Sequence, residues 1–147
     1  MLGGDGELTK VQAQADSLGI SGQVELLGWV VGDAKRRAFA QATAFVLPSH
    51  IEGLPVSMLE AMYCSLPIVI CPVGSIPEVL TDEHDALFVR PRDIDGLATA
   101  MLRLAEDVDL RDRLGSAANR IFQQRFSMQS VGPRIEALYH EAVNSST

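Results

Sequence analysis

Three apolar runs constrain this chain more than anything else in it. Residues 44–47 (Ala-Phe-Val-Leu), 67–71 (Pro-Ile-Val-Ile-Cys) and 86–89 (Ala-Leu-Phe-Val) contain no charged or amide side chain. Each is too short for an amphipathic helix. None alternates apolar with polar, as a strand with one wet face would. Continuous apolar runs of this length suit strands covered on both faces, which are the strands of parallel sheets. Residues 24–27 read as a further short strand ended by Gly28, and residues 1–6 as a strand stub running into a glycine-rich turn. Helical spacing fills the intervals. Strands alternating with helices imply right-handed crossovers and a Rossmann-like α/β fold.

The helices follow from spacing and end signals. Leu8, Val11, Ala15 and Leu18 mark a helix over 7–18, closed by Gly19. Asp33 caps a second through about Gln41, and a third runs over 56–64. Residues 77–80 make one or two turns. After an Asp93 cap, Ile94, Leu97, Ala98, Met101, Leu102 and Ala105 form one apolar stripe. Leu114, Ala117, Ala118, Ile121 and Phe122 pattern a helix over 110–126. Ser127 caps the last helix, through about Val143, with a kink expected near Gly132 from Pro133. Cys64 and Cys71 read as small buried hydrophobes, and no secreted disulfide framework is suggested.

At 147 residues the length suits one domain. A net charge of -7 argues against a general nucleic-acid surface, which needs a basic face. A small anion is still compatible, because amide dipoles and a few cations can hold it. No apolar run approaches the ~20 residues of a membrane span, and no signal peptide is visible, so a soluble, reduced, cytoplasmic protein is expected. Lys35, Arg36 and Arg37 could form a phosphate patch, but a solvated helix face is the preferred reading.

The 48–62 segment is where chemistry concentrates. A helix opening at Pro55 above the end of strand 44–47 would leave the amides of Val56, Ser57 and Met58 facing outward. Amides at a helix start above the carboxyl end of a parallel strand make an anion site. Glu52 and Glu60 flank it. Carboxylates repel phosphate, so they suit hydroxyls beside it, and a diphosphate between hydroxyl-bearing rings is a nucleotide-sugar. Paired carboxylates also invite a glycosidase reading. The Gly-Leu-Pro between them and the parallel-sheet context argue against that. His50, His84 and His140 show no metal-ligand spacing with each other or with the cysteines. His50 shares the key loop, and the other two read as surface residues.

Glu52 and Glu60, seven residues apart with Gly-Leu-Pro between, resemble the E-x7-E motif of retaining glycosyltransferases of the GT-B fold. These are the "glycosyl transferases group 1" relatives of bacterial glycogen synthase and phosphatidylinositol mannosyltransferase. Segments 3–7 (Gly-Gly-Asp-Gly-Glu), 24–28 (Val-Glu-Leu-Leu-Gly), 66–69 (Leu-Pro-Ile-Val), 74–79 (Gly-Ser-Ile-Pro-Glu-Val) and 125–127 (Arg-Phe-Ser) fall in the family's order.

The resemblance implies the C-terminal, donor-binding half of a GT-B fold without its first strand-helix unit. Residues 1–126 would be the nucleotide-sugar domain, and residues 127–147 a helix crossing to an N-terminal acceptor domain. It implies Glu60 on the donor ribose and Glu52 beside the donor sugar in the catalytic position. Gly53, Leu54, Pro55, Val56 and His50 would line the donor site, with Gly4 and Gly6 in the first turn. Trp29 would lie beside the base, or else be a buried aromatic capping the sheet edge. Glu78 fits the family pattern with a structural role. The donor would be UDP-, GDP- or ADP-linked, with no cofactor or metal, and the parent enzyme at the inner face of a membrane. A fragment lacking the family's Arg and Lys before the first turn should be inactive, and its bare strand edge at 44–47 should make it a homo-oligomer. The rivals are a non-catalytic module of the same fold and a GT-B epimerase or phosphorylase relative.

Overall fold

The structure, a computed structural model, describes residues 2–3 and 6–144. They fall into two compact units, Met1–Gln41 and Ala42–Thr147, each with its own parallel sheet. In the first, β1 (Leu2–Gly3) pairs in parallel with β2 (Leu26–Gly28). Between them lies α1 (Leu8–Ser17), and α2 (Gly32–Gln41) follows β2. Gly19 ends α1 as its position suggests. At φ +68° it lets the amides of Gly19 and Ile20 turn back onto the carbonyls of Asp16 and Ala15, both at 3.0 Å.

The second unit is built on β3 (Phe45–Leu47), β4 (Ile68–Ile70) and β5 (Leu87–Phe88), parallel and in that order. The register sets Phe45 opposite Ile68, Val46 opposite Val69 and Leu47 opposite Ile70, then Val69 opposite Leu87. All of β4 is buried, whereas the outer strand β3 is half-buried throughout. Crossover from β3 to β4 runs through α3 (Val56–Tyr63). Three helices follow β5: α4 (Ile94–Glu106), α5 (Val108–Arg125) and α6 (Met128–Asn144). This is the expected α/β architecture of parallel strands with flanking helices.

Packing corrects the reading of α4. Ile94, the first residue of the expected stripe, is 78% exposed, and Ala98, Met101, Leu102 and Ala105 are exposed as well. The buried face is instead Ala100 and Leu104, with Leu97 packed against the same cluster. These three obey i, i+3, i+7, as a helical face must. The helix is apolar on two sides, and the sheet selected the narrower one. There Leu104 and Ala100 join Val69 of β4, Leu87 of β5, Val89 just after it, and Leu110 and Leu114 from α5. Two smaller differences are also local. α5 begins at Val108 rather than 110, because the Asp107 carboxylate caps it by accepting from the Leu110 amide at 2.8 Å. Cys71 is buried, but Cys64, at the end of α3, is exposed, and both are free thiols. α6 opens on the expected Ser127 cap, whose hydroxyl accepts from the Ser130 amide at 3.2 Å, and it continues through Pro133.

Candidate functional site

The chain leaves β3 at Leu47 and enters α3 at Val56, so the loop between lies at the carboxyl edge of the sheet. Pro55 is the N-cap of α3, with φ -70° and ψ 125°, rather than its first helical residue. That shift changes which amides are available. The Pro55 carbonyl accepts the Met58 amide at 3.1 Å, so Met58 does not face outward as expected. No side chain caps the helix, and no described acceptor reaches the amides of Val56 and Ser57. The N-terminal end of α3 therefore offers two donors.

Glu60 sits one turn into α3, half-buried, with its Oε2 enclosed. Its helix is anchored from beneath by Met58, Ala61 and Met62, none of them accessible. Desolvation, and then the negative charge of Glu60 one turn away, push the Cys64 thiol up from its ordinary range. Glu52 is half-buried in the loop, and Gly53 is exposed. Leu54 and Val56 are exposed, and Ile51 is 89% exposed. His50 is exposed in the same loop.

A second loop, after β4, closes on the first. Gly74 has φ +57°, and a Cβ there would stand 2.0 Å from the Glu52 carbonyl oxygen and 2.8 Å from that of Gly53. The next amide, Ser75, donates to the Gly53 carbonyl at 3.0 Å. From behind, α5 holds both α3 and the second loop. Asn119 Nδ2 donates to the carbonyls of Met62 at 3.0 Å and Tyr63 at 2.8 Å, satisfying the open end of α3. Arg125 Nη1 donates to the Glu78 carbonyl at 2.9 Å, beyond the Gly74 turn. Gly115 lets α5 approach so closely that a Cβ would stand 2.1 Å from the Ser65 carbonyl oxygen. The sequence reading assigned none of these three α5 residues a role. Gly74 and Arg125 had a signal in the 74–79 and 125–127 segments, but Asn119 looks like any polar residue on a helix.

The first unit carries the remaining candidates. Gly6 is exposed, and its carbonyl accepts the Leu8 amide at 2.7 Å. Gly4 lies outside the described residues. Trp29 is 73% exposed, which overturns the reading of a buried aromatic capping the sheet edge. Arg36 and Arg37 are exposed and Arg36 pairs with Asp33, as a solvated helix face should. Among the described residues no group of three His, Cys, Asp or Glu side chains could hold a metal ion. No described helix is long and apolar enough to cross a membrane.

The family model for glycosyl transferases group 1 matches residues 1–107. The chain belongs to that family. It is 33% identical to the MMP alpha-(1->4)-mannosyltransferase of Mycolicibacterium hassiacum over 127 residues, which cover 86% of this chain and 31% of the relative. It is 31% identical to the D-inositol 3-phosphate glycosyltransferase of Saccharomonospora viridis over 129 residues, covering 88% of this chain and 30% of the relative. The chain thus spans about a third of the length of the curated relatives it matches. Among solved structures, Anabaena Alr3699/HepE in complex with UDP superposes with a TM-score of 0.85 at 21% identity, covering 95% of this chain and 40% of that one. The fold is therefore that of a GT-B glycosyltransferase domain.

Proposed function

We propose that this domain binds the nucleoside-diphosphate-sugar donor of a glycosyltransferase that transfers the sugar with retention. The observation that carries the reading is the β3–α3 junction. Two outward amides at a helix start lie in one short segment with half-buried carboxylates at Glu52 and Glu60. The amides of Val56 and Ser57 suit the diphosphate, whose negative charge grows as the glycosidic bond breaks. Glu60 takes the ribose diol, since a carboxylate accepts two hydroxyl hydrogen bonds. Glu52 orients the donor sugar, with the amides of Gly53 and Leu54 on its hydroxyls and His50 at the rim. Family membership and the UDP complex of a structural neighbour support this reading.

Titration of the protein with UDP, GDP and ADP tests the proposal. Saturable binding at millimolar concentration or tighter is the expected result. Isothermal titration calorimetry reads it. Absence of binding to all three would favour a non-catalytic module that kept the fold.

A further inference from the structure

Gly74 combines two constraints that glycine alone meets without strain. Its φ of +57° is a conformation that side-chain-bearing residues rarely adopt. The place a Cβ would occupy is already filled by the carbonyl oxygens of Glu52 and Gly53, at 2.0 and 2.8 Å. Those are backbone atoms, so they cannot swing aside as the end of a long side chain would. The adjoining Ser75 amide then clamps the Gly53 carbonyl at 3.0 Å. The direction of two peptide planes follows. No peptide here is cis, and in a trans peptide the N–H points opposite to the C=O. With the Glu52 and Gly53 carbonyls turned onto Gly74 and Ser75, the amides of Gly53 and Leu54 are aimed away from that turn. No described acceptor takes either amide.

We infer that Gly74 is a positioning residue for the donor site. Its bare Cα is the seat that aims the Gly53 and Leu54 amides toward the ligand. The inference rests on the proposed donor-binding role of the 48–56 segment. It assigns Gly74 no contact with the ligand.

The test uses the 147-residue chain in three forms: unmodified, Gly74→Ala and Gly74→Asn. Asparagine tolerates the left-handed conformation but still carries a Cβ, so it separates backbone freedom from contact. Hydrogen exchange read by NMR reports the loop without any ligand. Exchange of the Ser75 amide should rise at least tenfold in both variants, while amides in β4 keep their protection. Affinities are then measured for UDP-glucose, GDP-mannose and ADP-glucose and for the matching diphosphates. Both variants should lose at least tenfold on the nucleotide-sugar that binds the unmodified chain, and under threefold on its diphosphate. An unchanged Ser75 amide, or a Gly74→Asn protein that behaves like the unmodified one, would overturn the inference. Faster exchange with unaltered sugar-nucleotide affinity would overturn its link to the site. If the unmodified chain binds no nucleotide, the donor reading falls, while exchange at Ser75 still decides whether Gly74 seats the loop.

Discussion

Glu60 shows how much one residue's role depends on what surrounds it. An acid on the first turns of a helix gains ~0.3–1 kcal/mol from the helix dipole wherever it occurs. Here the side chain is half-buried with Oε2 enclosed, on a helix fixed by Met58, Ala61 and Met62. Glu60→Gln keeps the shape and removes the charge that two ribose hydroxyls would share. Nucleotide-sugar affinity should fall at least tenfold, about 1.4 kcal/mol, with little change in melting temperature. Calorimetric titration of both proteins measures this. Equal affinities would take the ribose away from Glu60.

At the scale of elements, α5 acts as a brace. Its Asn119 adds a donor to two carbonyls at the end of α3, and Gly115 allows the close approach this needs. Asn119→Ala leaves the Tyr63 carbonyl without that donor and the Met62 carbonyl with the Ser65 amide alone, so it should lower stability by about 1 kcal/mol in denaturant unfolding. A loss below about 0.5 kcal/mol would mean that water replaces the amide at no cost. The turn before β5 is tied the same way. Arg103 donates to both carboxylate oxygens of Glu83, at 2.6 and 2.8 Å, and Arg113 Nη1 donates to the Glu83 carbonyl at 2.8 Å. The Arg103 hydrogen bonds hold the Glu83 carboxyl below the usual glutamate range. An acid whose folded pKa is depressed contributes stability above its unfolded pKa and loses it as pH falls through the folded one. Unmodified protein should therefore melt slightly above Glu83→Gln at neutral pH, and the gap should close under acid. The gap will be small, since both side chains are about half exposed. Asp85, pushed up by burial, works in the opposite sense, but it is present in both proteins and cancels in the difference.

At the scale of the molecule, one apolar face of the second unit is open to water. α6 exposes Ile135, Leu138 and Tyr139. Exposed apolar surfaces of this kind recruit others. Light scattering should therefore give a mass above the 15.9 kDa of one chain, and Leu138→Glu should shift it toward that value. A monomer at every concentration would show that this face is tolerated in water.

The sequence alone determined the order and type of the elements. Apolar runs without alternation at 44–47, 67–71 and 86–89 read as strands of a parallel sheet, although only β4 is buried along its whole length, and the end of α1 was legible in Gly19. Spacing along the chain encodes such local choices directly. It also exposed Glu52 and Glu60 as a pair, because their separation is itself local. Tertiary structure decided which side of α4 met the sheet, since Ile94 and Leu104 are equally apolar and only the neighbours differ. It decided that Trp29 lies in the open and that Pro55 caps α3 rather than beginning it. It alone joined Asn119 to Met62 and Gly74 to Glu52. Those contacts link residues from different elements, and no periodicity within one element records which distant backbone will fill the space beside it.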